Sequence, residues 1–209
     1  VFGASGGGTA YVTAQGNLIL AAPATAVDFV KSGAGILTLQ RTVTVSGGNV
    51  SVVAGTLALE NNGGTTSGNF SSGSGVNYRI TSGAALDVSG VTAGGGFALG
   101  PNMKLQGCGS VLGTLTVSNG GILEPTSMPG PGTLTVGGMI WQAGGTYRWQ
   151  ISSALGANDG ETQSKLNGSG TLDLTGLSSG NRFTIQLVPL TASNNSGAVY
   201  DFDNTKSYI

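Results

Sequence analysis

The sequence predicts an all-β protein: a right-handed parallel β-helix, or solenoid, with short strands, glycine-rich corners and a few loop insertions. Short runs in which every second residue is apolar, and its neighbour is Thr, Ser or Ala, occur along the 209 residues. This alternation is typical of strands with one buried face. In the clearest stretch, residues 33–59, glycines separate the runs and no separator is long enough for a helix. Short strands joined at glycine corners favour stacked coils over a sandwich or barrel of hairpins.

Residues 33–59 contain four such runs and define one circuit of the predicted coil. Gly35 precedes the first run and Gly55 marks its return about twenty residues later, which suits a coil with three short sides. If the coils stack, Leu37 lies over Leu57 at a spacing of about 4.8 Å, and the leucines two residues further on repeat the contact. The runs are Ile36–Leu39, Val43–Val45, Val50–Val52 and Leu57–Leu59.

The motif Gly-x-Leu-x-Leu recurs along the chain, at a spacing near twenty residues in its best parts. Irregular spacing elsewhere is expected where insertions lie at the corners of stacked coils. The motif occupies residues 16–20, 35–39, 55–59 and 170–174, and variants begin at Gly113, Gly132 and Gly145.

The residues before the clear repeat are also interpreted mainly as strands. Ala10–Thr13 and Asn17–Leu20 have the strand alternation. Residues 22–31 leave two interpretations open. Pro23 would suit the start of one or two helical turns, whereas the alternation that ends at Lys31 would suit a strand.

After residue 60 the pattern is interrupted by a polar, Gly/Ser-rich segment at 61–75, interpreted as a long corner loop or insertion. We assign residues 1–150 to a β-helix repeat region and residues 151–209 to a terminal β-rich part of the same solenoid, which we expect to continue in a longer chain. Prolines at 125, 129 and 131 predict a tight loop. The later predicted strands are Val76–Ile80, Ala84–Val88, Met103–Gln106, Ser110–Leu112, Leu115–Val117, Ile122–Leu123, Leu134–Val136, Ile140–Ala143, Thr146–Ile151, Gly170–Leu174 and Arg182–Leu187.

The composition excludes several classes of function. Charged residues make up 8% of the chain, with 8 Lys plus Arg against 9 Asp plus Glu, so we expect neither a nucleic acid nor an anionic membrane as partner. The absence of histidine and the single cysteine, Cys108, rule out an internal disulfide, a Cys/His zinc site and a His-activated nucleophile. No apolar run is long enough for a transmembrane segment. We predict no metal and no cofactor.

Several segments, taken in order, resemble a known family. Residues 33–39, Gly47-Gly48 and residues 55–59 resemble the autotransporter-associated β-strand repeat of bacterial surface proteins, although Gln40-Arg41 stands where that repeat usually has Ser-Gly. Segments similar to the part that follows the repeats, and to the end of repeat proteins with a C-terminal sorting tail, are 104–111, 120–125, 131–136, 147–149, 170–174 and 182–187.

The resemblance implies a secreted or cell-surface protein, associated with the bacterial outer membrane, that acts as a stalk, a fibre subunit or an adhesive. It implies no catalytic residue, and we predict that the chain is not an enzyme. The expected partners are adjoining repeats of the same longer chain, further copies assembled into fibres, and a surface polysaccharide.

Three aromatic residues are candidates for contact with a glycan. Trp141, Tyr147 and Trp149, with Phe183, could form a strip on which sugars stack. Tyr147 and Trp149 share one face of a strand, however, so the same residues could instead cap the end of the core. A carbohydrate-binding module would require Trp141 or Trp149 to be exposed.

The carboxylates offer the remaining chemistry. Asp159 and Glu161, and likewise Asp201 and Asp203, lie two residues apart and could be solvated loop residues or, at 158–161, ligands for calcium. A polysaccharide lyase or hydrolase is a further alternative, since β-helix enzymes need charged residues on one groove. Convergence of residues such as Asp87, Lys104 and Asp173 on one face would favour it. Cys108 is interpreted as a small buried or corner residue, with an intermolecular crosslink as the alternative.

Overall fold

The computed structural model describes residues 8–60, 69–72, 75–93, 96–155, 160–199 and 201–202. These residues form twenty β-strands and contain no α-helix, so the all-β prediction is confirmed. The strands are β1 (Ala10–Thr13), β2 (Leu18–Leu20), β3 (Ala24–Ala26), β4 (Phe29–Ser32), β5 (Ile36–Leu39), β6 (Val43–Val45), β7 (Asn49–Val52), β8 (Thr56–Glu60), β9 (Phe70–Ser71), β10 (Asn77–Ile80), β11 (Ala85–Gly90), β12 (Phe97–Leu99), β13 (Lys104–Gly107), β14 (Ser110–Val117), β15 (Ile122–Pro125), β16 (Thr133–Trp141), β17 (Thr146–Ile151), β18 (Lys165–Gly168), β19 (Leu172–Asp173) and β20 (Thr184–Pro189).

The strands pair in parallel and form three sheets. The first sheet has the order β1-β4-β7-β10-β13-β15-β17-β20, and the third has the order β3-β6-β9. The second has the order β18-β16-β14-β11-β8-β5-β2, with β12 paired to β14 and β19 paired to β16. Through β9 the chain visits the three sheets in turn, each time returning beside the strand it left one circuit earlier. This order is compatible with a β-helix.

The predicted stacking of the leucines is confirmed. Leu37 pairs with Leu57, and Leu39 with Leu59, and the side chains of all four are buried. The same row begins one coil earlier at Leu18, which pairs with Leu37. The core is therefore a set of apolar rows that run along the stack. The row on the first sheet contains Phe29, Val50, Tyr78, Leu105, Leu123 and Tyr147.

The glycine that opens each Gly-x-Leu-x-Leu motif lies where one coil touches the next. A Cβ atom on Gly35 would lie 2.1 Å from the carbonyl oxygen of Gly16. On Gly55, whose φ is +65°, it would lie 2.4 Å from the carbonyl oxygen of Gly35. Any side chain at these two corners would collide with backbone, so the stacking itself requires glycine there.

The segment 22–31 is extended rather than helical, because it contributes β3 and β4 to two different sheets. Two predictions of where strands break are wrong. Residues 110–117 form the single strand β14 and residues 133–141 the single strand β16, where the sequence predicts two short strands in each. A shift of register in the β14–β16 pairing lets one strand continue across Gly113, as β-bulges do. The polar segment 61–75 lies largely outside the described residues.

Lys31 is a buried cation on the inner face of β4. Its side chain is 0% exposed, and its ammonium donates hydrogen bonds to three backbone carbonyls: Ser32 O at 3.0 Å, Gly33 O at 2.8 Å and Ala54 O at 2.9 Å. Burial lowers the pKa of this ammonium. The three bonds tie together the corners of two successive coils, and they use all three donors of a lysine ammonium.

Replacement of Lys31 by methionine is expected to lower the free energy of unfolding by about 2 kcal/mol, because three corner carbonyls each lose the hydrogen bond from the ammonium while the apolar stem is retained. Urea unfolding followed by circular dichroism measures this. Lys165→Met, at a half-exposed lysine on β18, is the matched control and is expected to change the stability by less than about 0.5 kcal/mol. Equal effects of the two substitutions would contradict the corner role of Lys31.

Candidate functional site

The outward face of the first sheet presents a row of polar residues across neighbouring coils. Arg79 on β10 pairs with Gln106 on β13, which pairs with Glu124 on β15. The pairing of Ile122 with Thr146 brings β17 alongside β15. The side chains of this row point away from the apolar core because they alternate with inward residues. Fixed backbone pairing therefore sets their spacing.

Glu124 is the centre of this row. Its side chain is 5% exposed, and its Oε2 lies 2.7 Å from Lys104 Nζ. Arg148 Nη1 lies 3.0 Å from Oε1, and Gln150 Nε2 donates to the same oxygen at 3.0 Å. Two cations and one amide thus hold one nearly buried carboxylate. Both cations keep contact with solvent, since Lys104 is 28% and Arg148 is 29% exposed.

A loop of residues 126–131 forms one wall beside Glu124. Thr126 Oγ1 donates to the carbonyl of Gly130 at 2.7 Å, and Ser127 Oγ donates to the carbonyl of Pro131 at 2.6 Å. The predicted tight loop is therefore confirmed at Pro129 and Pro131 and is closed by its own side chains, whereas Pro125 is the last residue of β15 and pairs with Gly107. Together with Leu190 and Asn194 it bounds a groove of about 380 Å³ on the sheet. We call this the Glu124 groove; its lining is Lys104, Gln106, Glu124, Thr126, Met128, Pro129, Gly130, Arg148, Gln150, Leu190 and Asn194.

Two polar atoms on the Glu124 groove have no hydrogen-bond partner. Gln150 Oε1 and Asn194 Oδ1 are both buried acceptors without a donor. Asn194 packs against Gly130, where any Cβ atom would lie 2.5 Å from the Asn194 amide. Because buried polar atoms are normally satisfied, two unsatisfied acceptors on one groove require an explanation.

A second polar pocket of about 330 Å³ lies on the same face, towards β1. There Asp28 Oδ1 accepts from the Asn49 side-chain amide at 2.9 Å, and Asn77 Nδ2 donates to Asn49 Oδ1 at 3.2 Å. These side chains form a hydrogen-bonded ladder across β7 and β10. The pocket ends at Arg79, one strand away from Gln106 on the Glu124 groove. The polar face is therefore continuous along the stack.

The candidate glycan residues lie at the edge of the core. Trp141 stacks on Phe183 at 4.3 Å with an interplanar angle of 8°, and on Tyr147 at 5.9 Å. Tyr147 is buried, and Trp141 and Trp149 are half-buried against the core. Trp149 Nε1 donates to the Ser164 carbonyl at 3.0 Å. The geometry favours the capping alternative, with the rings packed on one another rather than presented as a strip.

Burial raises the pKa of Tyr147 to about 12. Because the pKa of Tyr147 is higher in the folded state, the contribution of this hydroxyl to the free energy of unfolding is fully present below the unfolded-state pKa near 10. That contribution is lost as the pH rises from there to about 12. The Tyr147→Phe variant is therefore expected to lose less stability than the wild type over this range. Thermal unfolding of both proteins at a series of alkaline pH values measures the difference. Coincident curves for Tyr147→Phe and the wild type would contradict the prediction.

The three charged residues whose convergence would favour an enzyme lie on two different sheets. Asp87 on β11 and Asp173 on β19 belong to the second sheet, whereas Lys104 belongs to the first. Each of these aspartates instead closes a local turn. Asp87 accepts from Ser89 Oγ at 2.6 Å and Asp173 accepts from the Thr175 N–H at 2.8 Å, which lowers the pKa of Asp173. The arrangement that would favour an enzyme is not formed by these three residues.

The two acidic pairs are only partly within the described residues, since Asp159 and Asp203 lie outside them. Glu161 is exposed. Asp201 accepts hydrogen bonds from Ser153 Oγ and from the N–H groups of Ala154 and Leu155, and the Ser153 bond contributes most to lowering its pKa. No group of three or more Cys, Asp or Glu residues suited to a metal ion occurs in the described ranges. Cys108 is a half-buried free thiol.

The Glu124 groove is the feature that the sequence patterns do not single out. Its three charges are separated by twenty and twenty-four residues, about one coil each, so that a search for adjacent charged residues misses them. The available signal is an outward charged position in each of three successive strands, β13, β15 and β17. Alternation identifies such positions only when the register between coils is known.

Comparison with known proteins gives no match: no protein family, curated protein or solved structure resembles this chain significantly. The likeness to the autotransporter-associated repeat therefore rests on the sequence motifs alone. Among the described residues, no helix has the length and apolar character needed to span a bilayer.

Proposed function

We propose that this chain is a closed, right-handed parallel β-helix that serves as a rigid stalk or fibre subunit, secreted or displayed on a bacterial surface, without catalysis. The observation that supports this most is the register of the apolar rows, such as Leu18, Leu37 and Leu57, through successive coils. The buried side chains of Leu37 and Leu57 at successive steps leave little freedom to bend. The first sheet alone has eight strands, and seven steps of about 4.8 Å place its outer strands about 34 Å apart.

The surface location and the stalk role rest on the resemblance to bacterial surface repeats. The test is immunolabelling of intact cells that make the full-length protein, combined with electron microscopy of the purified protein. We expect labelling without permeabilisation, and rods. Labelling only after the cells are broken open would overturn the surface location, and globular particles would overturn the stalk.

The last coil supports association with further coils. Its inward positions Leu172, Leu174, Ile185 and Leu187 are 43–61% exposed. The residues that precede them in the same rows are more covered, because Met139 and Tyr147 are buried. Among the described residues no further coil covers these apolar rows, so they present both apolar surface and a free strand edge. We infer that further repeats of a longer chain, or a second copy, cover this end.

The purified 209-residue chain is therefore expected to associate end to end as its concentration rises, and Ile185→Glu is expected to prevent this, because it places a charge on the apolar end. Analytical ultracentrifugation measures the effect. Leu112→Glu, at an exposed leucine on the side of the second sheet, is the control and should associate like the wild type. Association that Ile185→Glu leaves unchanged would locate the contact elsewhere.

Carbohydrate binding is the second candidate function, and the observation that favours it is the Glu124 groove rather than the aromatic residues. Hydrolysis is less well supported, because glycoside hydrolases use two carboxylates flanking the bond and Glu124 is the one acidic residue among those that line the groove. That carboxylate is already paired with two cations.

A further inference from the structure

We propose that the Glu124 groove binds an acidic glycan, a sugar chain that carries carboxylates as well as hydroxyl groups. The inference names the ligand class for the second candidate function and rests on that candidate; it depends neither on the stalk role nor on where the protein is located. It rests on three features of the groove: its net charge, its two unsatisfied acceptors and its rigid, continuous floor.

The charge of the groove favours an anion. Lys104 and Arg148 contribute two positive charges and Glu124 contributes one negative charge, so the lining carries one excess positive charge. Contacts to Glu124 use Nζ of Lys104 and Nη1 of Arg148, whereas an arginine has five N–H donors in a planar fork. Both side chains reach solvent, so a ligand carboxylate can bind them from outside while Glu124 holds them from below.

The unsatisfied acceptors favour hydroxyl groups. Gln150 Oε1 and Asn194 Oδ1 lack donors and are covered, so a small rotation of each amide side chain must bring its oxygen to the ligand. An anion that only accepts hydrogen bonds would then leave both unsatisfied. A sugar hydroxyl donates one hydrogen bond and accepts others, so a single ring can satisfy an amide oxygen and receive a bond from a cation. A carboxylated sugar combines both requirements, whereas a simple anion meets only the first.

The floor of the groove favours an extended chain. Lys104, Glu124 and Arg148 stand on three successive strands, whose spacing is fixed by backbone pairing. The hydrogen-bonded ladder of Asp28, Asn49 and Asn77 continues the polar face beyond Arg79. A preformed site loses little conformational entropy on binding. The ligand would therefore run along the stack, crossing the strands.

The test is isothermal titration calorimetry of the folded chain with tetragalacturonate, with neutral cellotetraose and with acetate as separate probes. We expect tetragalacturonate to bind, to weaken as salt is added, and to bind at least tenfold more tightly than either other probe. Equal binding of the neutral chain would overturn the role of charge, and equal binding of acetate would overturn the role of the hydroxyl groups. No binding of tetragalacturonate would overturn the proposal.

Two variants locate the site. Arg148→Gln is expected to reduce the affinity at least tenfold, and Arg41→Gln, which removes an arginine whose guanidinium bonds its neighbour's carbonyl, is the matched control and should bind like the wild type. Asn194→Gly removes an unsatisfied acceptor, suits the φ of +59° at this position and leaves the ion pairs intact. We expect a several-fold loss. If Arg148→Gln does not fold, the affinity of Asn194→Gly for tetragalacturonate tests the proposal. Wild-type affinity in every variant that folds would place the glycan outside the Glu124 groove.

Discussion

Leu57→Ala is expected to lower the free energy of unfolding by about 2–5 kcal/mol, the range for removing a large side chain from a packed core. Leu57 is 0% exposed and pairs with Leu37 on one side and Leu86 on the other. The cavity would open between three coils whose backbones are held by their own hydrogen bonds, so the walls can close only partly. Urea unfolding followed by tryptophan fluorescence measures the change.

The control for this prediction is Leu112→Ala. It removes the same atoms from a leucine on β14 that is 45% exposed, and it is expected to change the stability by less than about 0.5 kcal/mol. A comparable loss in both variants would mean that the interior of the stack does not supply the stability of the fold.

Gly35→Ala is expected to destabilise the fold by about 3 kcal/mol, the upper part of the range for overpacking. The new methyl group would lie 2.1 Å from the Gly16 carbonyl oxygen, and backbone atoms cannot move aside as a flexible side chain can. Separation of the two coils would also weaken the pairing of β2 with β5.

Gly16 provides the matched control, because it opens the same sequence motif one coil earlier and a Cβ atom there would meet nothing within 4 Å. Gly16→Ala is expected to be neutral or slightly stabilising, by less than about 1 kcal/mol. Thermal unfolding of the two variants compares them directly. If Gly35→Ala melts like Gly16→Ala, the close approach of the corners is not a constraint on the sequence.

The rows of the core could be predicted from the sequence because two local signals agree. Alternation around Leu37 and Leu57 identifies the buried face, and the glycines at 35 and 55 fix the length of one circuit. The continuous strands β14 and β16 could not be predicted in this way, since Gly113 and Gly137-Gly138 resemble breaks. Pairing with a neighbouring strand on each side holds the chain extended across them, which is a tertiary effect.

The Glu124 groove could not be predicted for a related reason. Coil lengths vary along the chain, so the sequence does not show that Lys104, Glu124 and Arg148 fall on adjacent strands. The local pattern places Tyr147 and Trp149 on one face of a strand. It could not show that Trp141 stacks on Phe183, which comes from a segment about forty residues later.

The register of the leucine row has a consequence for how such a chain can change in length. In the sheet that carries the leucine row, β5 pairs only with β2 of the coil before it and β8 of the coil after it, and Leu18, Leu37 and Leu57 occupy equivalent places in these three strands. Duplicating or deleting one whole turn would leave every remaining neighbour relation intact. Genetic exchange between turns could therefore lengthen or shorten the molecule by whole coils, while the surface near its far end stays unaltered.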